Sequence, residues 1–92
     1  MKKFIIERNL PGAGNLTTEE LKNIALTSCN VITKMGKGYQ WVESFITADK
    51  IICVHIAENE DVIREHSSKG DFPVNVIREV KTVIDPLTAY QS

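Results

Sequence analysis

The apolar positions along this chain change spacing in a regular order. Phe4, Ile5 and Ile6 make a short apolar run within Lys3–Arg8, which reads as a first strand. Leu10-Pro11-Gly12-Ala13-Gly14-Asn15 breaks it with turn-forming residues. Leu21, Ile24, Ala25, Ser28, Ile32 and Met35 then recur at helical spacing and predict one largely apolar stripe. The start of that helix is well marked. Thr17-Thr18-Glu19-Glu20 has the form of a capping box, and Leu16 and Leu21 stand at the two positions of a hydrophobic staple. Gly36 and Gly38 can end it, because glycine accepts the left-handed backbone found beyond helix ends.

Tyr39–Thr47 and Lys50–Ala57 are rich in aromatic and β-branched residues and predict two strands. Ala48-Asp49 between them implies an antiparallel hairpin. Glu58, Glu60 and Asp61 put negative charge where a helix N-terminus favours it, and Val62, Ile63 and His66 form a short inward face. Lys69 and Gly70 suit the end of this second helix. Val74–Ile84 reads as a last strand, stopped at Asp85-Pro86, with residues 87–92 as a tail. The order is βαββαβ. It predicts an α+β, ferredoxin-like fold: a four-stranded antiparallel sheet, the first and third strands central, both helices on one face.

The other sheet face is the surface of interest. Trp41, Glu43 and Phe45 alternate with Val42, Ser44 and Ile46, and Ile52, Val54 and Ile56 alternate with Ile51, Cys53 and His55. Both sets carry large apolar groups, whereas a face left in water should be polar. A cover is expected, most simply a second copy packed sheet to sheet as a homodimer of the dimeric α+β barrel kind. Burial under the chain's own tail, including Tyr90, is the rival. The hairpin admits two registers. A two-residue turn pairs Ser44 with Cys53 and Val42 with His55. A one-residue slip brings Glu43 opposite Cys53 and Trp41 opposite His55.

Length and charge narrow the function classes. The 92 residues make one domain, 1–92. Eleven basic and twelve acidic residues leave a net charge of −1, without blocks of like charge, which argues against nucleic acid or an anionic membrane as partner. No apolar run reaches the roughly 20 residues of a membrane span. No signal-peptide pattern follows Met1-Lys2-Lys3, so a cytoplasmic protein with Cys29 and Cys53 reduced is expected.

The candidate chemistry is sparse. Cys53 and His55 share one strand face and could offer thiolate and imidazole to nickel, zinc or copper. Cys53 reads more readily as a small buried hydrophobe, and His66 as a half-buried histidine satisfied by a backbone carbonyl, than as ligands. Glu7, Glu43 and Glu79 are strand carboxylates whose simplest role is a solvated or ion-paired face. Gly12-Ala13-Gly14 lacks both the third glycine of a dinucleotide loop and the lysine of a phosphate-binding loop, and reads as a turn. The aromatic and basic signature of an RNA-recognition sheet is absent from Ile51–Ile56.

Three stretches carry a resemblance. Lys3–Gly12, the hairpin segments Gln40–Phe45 and Asp49–Val54, and Ile63–His66 with Gly70, Phe72 and Pro73 together resemble a family of small bacterial proteins grouped as DUF4242. The resemblance runs from Lys3 to about Pro86. It implies a ferredoxin-like fold that dimerises through its sheets, and a tie to nickel. His66 matches the family pattern, while Glu43 stands where many relatives carry histidine and His55 where they carry tyrosine.

Two functional readings follow, with a third behind them. The first is a non-catalytic homodimer that binds a divalent transition metal such as nickel through His55, His66, Cys53 or Glu43. The second is a small α+β barrel enzyme with an enclosed apolar pocket between sheet and helices, Trp41 and Tyr39 standing near His66 or Glu43 and a small organic molecule as substrate. The third is a regulatory module whose open sheet face serves a partner.

Overall fold

The computed structural model of the protein describes residues 1–36 and 38–91; Lys37 and the last residue of the expected tail, Ser92, lie outside them. The strands are β1 (Lys2–Asn9), β2 (Tyr39–Ile46), β3 (Lys50–Ala57) and β4 (Val76–Glu79), and the helices are α1 (Thr18–Met35) and α2 (Glu60–Gly70). The sheet order is β2-β3-β1-β4 with every pair antiparallel, so β1 and β3 are central, as the sequence predicts. The fold is α+β with two helices and one four-stranded sheet.

Local chemistry accounts for the element ends. Thr17 Oγ1 accepts from the Glu20 amide, and Glu20 Oε1 accepts from the Thr17 amide, completing the capping box. Gly36 follows α1 at φ 89°, a conformation costly for a residue with a Cβ. The 3-10 turn Ala13–Asn15 is pinned to the hairpin tip: Asp49 Oδ1 accepts from the Gly12 amide, and the Ala48 carbonyl from Gly14. The Gly12–Gly14 segment is therefore a packed turn with two of its amides already engaged. α2 begins at Asn59, whose side chain accepts from the Val62 amide.

Gly70 behaves differently from the sequence reading. The left-handed position after α2 belongs to Asp71, at φ 58°, and Gly70 is the last helical residue. Its small size serves packing instead, because a Cβ there would run into the Phe72 ring. The last strand is also shorter than Val74–Ile84. The ladder against β1 spans Val76–Glu79, with one further bond at each end, Asn75 to Glu7 and Val80 to Lys3. β1 begins at Lys2, which this register sets opposite Lys81, so from Thr82 onward no part of β1 is left to pair with.

The core lies between the helices and one sheet face: Phe4 and Ile6 of β1, Ile51, Cys53 and Ala57 of β3, Tyr39 of β2 and Ile63 of α2. On the other face Ile52, Val54 and Ile56 are half-buried, and Phe45 is 52% exposed. The tail does not shield them. It ends in a 3-10 turn, Pro86–Tyr90, and Tyr90 is 85% exposed. Among the described residues no helix is long and apolar enough to cross a membrane. Cys29 is exposed, Cys53 is buried, and both thiols are free.

Replacing Thr17 by alanine removes one bond of the capping box and should cost about 1 kcal/mol of stability, read as a lower urea midpoint with unchanged slope. A midpoint equal to the wild type would show that the box contributes nothing.

Candidate functional site

The hairpin register combines the two predicted alternatives. From its tip, Ile46 pairs with Ile51, Phe45 with Ile52 and Ser44 with Cys53, as a two-residue turn requires. Between Trp41 and Glu43 the register shifts by one, with Val42 as the extra residue of a β-bulge, so Trp41 pairs with His55 and Tyr39 with Ala57. Residues that pair directly in an antiparallel ladder share a face. Tyr39, Trp41 and Ser44 therefore turn toward the helices with Cys53 and His55, while Glu43 pairs with Val54 on the opposite face. The indole Nε1 of Trp41 donates to Ser44 Oγ at 2.9 Å, closing the bulge on the helix side. Cys53 and His55 thus lie under the helices rather than on the open face.

His55 meets His66 there. Both are 1% exposed, and their ring centroids are 5.2 Å apart. Tyr39 stacks on His66 at 5.0 Å and meets His55 edge-on at 5.2 Å. Phe72 also stacks on His66 at 5.5 Å, and the Arg8 guanidinium lies 5.5 Å from the Phe72 centroid. A hydrogen bond of 3.0 Å joins His66 Nε2 to Ser28 Oγ on α1, its direction set by the histidine tautomer. Arg8 Nη1 donates to Ser67 Oγ at 2.9 Å and to the Pro73 carbonyl at 2.8 Å. Arg8, Tyr39, Ser28, Ser67 and Phe72 complete a cluster that candidate-ligand reasoning did not assemble. Two signals stood in the sequence: Arg8 follows Phe4 and Ile6 at period two, and Ser28 sits inside the apolar stripe of α1.

Burial sets the charge state of the cluster. Desolvation, then the nearby His66, then Arg8 lower the His55 pKa from 6.5 to about 3. Desolvation and then Arg8 lower His66 to about 4. Desolvation pushes the Tyr39 phenol well above its ordinary 10. Both imidazoles are uncharged at neutral pH. Four buried polar atoms have no hydrogen-bond partner among the described residues: His55 Nδ1, His66 Nδ1, Tyr39 Oη and Arg8 Nη2.

Beside the cluster lies a cavity of about 90 Å³, bounded by Ile24, Ala25 and Ser28 of α1 and by Trp41, Cys53, His55 and His66. A pocket does lie between sheet and helices near Trp41 and His66, but it is half open rather than enclosed, and neither Tyr39 nor Glu43 lines it. A wider groove of about 340 Å³ adjoins it, sharing Arg8, Ile24, Ile51 and Phe72.

A family model described as "Nickel responsive protein SCO4226-like" matches residues 4–80. The chain belongs to this family. The crystal structure of SCO4226 from Streptomyces coelicolor A3(2) aligns over 89% of this chain and 99% of that one, with a TM-score of 0.75 and 12% identity. At that identity the likeness speaks to the fold alone. No curated protein matches the chain. The nickel connection implied by the sequence resemblance is thereby kept at the level of the family description.

The SCO4226-like family description raises the question of whether these residues fit nickel. Neutral imidazole and thiolate are suitable donors. Among the described residues, however, no three His, Cys, Asp or Glu side chains come together closely enough to hold a metal ion. His55 and His66 meet, Cys53 borders the same cavity, and Glu43 is on the other side of the sheet. The buried charge in the cluster is the Arg8 cation, which opposes a second cation. Among the described residues of one chain, no set of three such donors is placed to hold a nickel ion.

The lowered pKa values carry a sign. Below pH 6.5 the unfolded chain holds more protons than the folded one, so the stability associated with the uncharged pair is complete above 6.5. It is lost as the pH falls toward about 4 and then 3. Urea unfolding should weaken steadily below pH 6.5, by up to about 1.4 kcal/mol per pH unit for each histidine. His66→Asn should reduce that slope by about half. A pH-independent midpoint between about pH 7 and 5 would overturn the buried neutral pair.

Proposed function

We propose that this member of a nickel-responsive family is a non-catalytic binding protein whose site is the cavity between α1 and the sheet, and that its ligand is a small organic molecule. The observation that carries this reading is a largely apolar cavity bordered by two buried histidines. Ile24 and Ala25 offer an apolar wall, while His55 and His66, each with a free Nδ1, border the same space. Specific small-molecule sites have this composition, a mostly apolar lining with a few fixed polar groups. The volume limits the ligand. A cavity of about 150 Å³ accommodates benzene, so about 90 Å³ calls for something smaller. The uncharged imidazoles also suit a hydrogen-bonding role, because each carries one donor and one acceptor nitrogen.

A nickel ion is the other occupant that the family description suggests. The same protein tests both, with any polyhistidine tag removed. Amide chemical shifts followed during titration with small alcohols, amides and carboxylates should move saturably around Ser28, His55 and His66. Filling the space with Ala25→Met should abolish the movement. Nickel chloride followed by calorimetry should give no saturable binding below about millimolar metal. Strong nickel binding that disappears in a His55→Ala/His66→Ala variant would replace the small-molecule reading with the metal one.

The open sheet face supports a second copy of the chain as partner. Ile52, Val54 and Ile56 form an apolar row, Phe45 extends it, and the chain's own tail leaves it uncovered. Contiguous apolar patches are seldom left in water. Sedimentation should show a dimer, and Val54→Lys, which places a charge in the middle of the row, should yield monomer. A wild-type monomer at high protein concentration would remove this part of the proposal.

A further inference from the structure

Arg8 is the group that an apolar cavity leaves unexplained. Its side chain is 3% exposed, and it takes part in none of the ion pairs among the described residues. The neighbouring Glu7 points through the sheet to the opposite face, where Lys50 lies 3.2 Å and Arg78 3.9 Å from its carboxylate. Asp71 borders the adjoining groove, is exposed, and forms no ion pair with Arg8. His55, His66 and Tyr39, packed nearby, are uncharged at neutral pH, and Cys53 on the same cavity is a buried free cysteine. A buried cation without a counter-ion is costly. Ser67, the Pro73 carbonyl and the Phe72 face offset part of that cost at Nη1 and the guanidinium plane, but Nη2 has no partner. Arg8 borders both the cavity and the groove beside it.

We propose that the ligand of this site is a small monoanion, of the class of short-chain carboxylates, whose charged end is recognised by Arg8 and whose apolar end lies along Ile24 and Ala25. This rests on the cavity being a binding site. Arginine is suited to the task because its planar fork matches a carboxylate and its charge persists at any physiological pH. The cavity of about 90 Å³ suits a short apolar tail. The anion completes the electrostatics of the cluster, because it supplies the one charge that the protein does not provide.

A charge series on the wild-type, tag-free protein tests this without depending on a variant. Sodium propionate, propionamide and propylammonium chloride are titrated at constant ionic strength near neutral pH, with amide and arginine Nε–H shifts recorded. Propionate should bind about ten-fold to a hundred-fold more tightly than propionamide, the range for a hydrogen bond to a charged group. The ammonium compound should not bind. The shifts should centre on Arg8, Ser28 and His66. Arg8→Lys should weaken propionate binding, and Arg8→Gln should erase the preference for the anion over the amide. Equal binding of propionate and propionamide would overturn the anion proposal while leaving the cavity reading in place. Shifts confined to exposed lysines would overturn it as well. No saturable shift at the cavity with any of the three would overturn both.

Discussion

The structure of the site depends on one irregularity, the β-bulge at Val42. Without it β2 would alternate strictly, and Trp41 and Glu43 would share a face. With it, Trp41 and Ser44 turn inward together and Glu43 turns outward. The extra residue is inexpensive because Val42 is at an edge strand and can be half in solvent. Its effect is large: it brings an indole and a serine hydroxyl, joined by a hydrogen bond, against the cavity that His55 and Cys53 border from β3. The carboxylate that would have made the site attractive to a metal ion is moved to the far side of the sheet.

The second constraint is the polar cluster inside the core. A domain of this size has little apolar surface to bury, and burying two imidazoles, a phenol and a guanidinium works against stability. The cost is reduced by stacking in sequence, from His55 and Tyr39 through His66 and Phe72 to Arg8. It is not removed, since four polar atoms stay unpaired among the described residues. Groups retained at such cost beside a cavity are better explained by ligand binding than by folding. Gly70 belongs to the same arrangement, because its lack of a Cβ lets Phe72 lie back over the end of α2.

These features separate what the family shares from what this chain does with it. The family match covers residues 4–80, and the likeness to SCO4226 extends to the arrangement of helices and strands. A nickel-responsive description can hold for proteins that bind different things, because fold does not dictate the site. In this chain the donors nearest one another are neutral nitrogens beside a fixed positive charge, an environment suited to an anion or a neutral polar group.

Much of the architecture was legible in the sequence because it rests on local rules. The capping box at Thr17 and Glu20, the stripe of α1 and the limits of β3 are statements about neighbouring residues, and tertiary packing reinforced them. Strand order followed from chirality and short connections. The extent of β4 was not legible, because it is set by pairing with β1, and that is a property of the partner. Gly70 was read as a helix stop because glycine usually serves there, whereas the deciding contact is with a ring that folds back onto it. His55 and His66 stood out as residues, but their meeting depends on packing α2 against β3. The inward direction of His55 depends on which sheet face the helices cover. The sequence by itself determined the elements, their order and the residue types available to a site. Only the tertiary structure decided which of those residues meet, because a one-residue bulge reverses the direction of every side chain beyond it and no local rule registers its position.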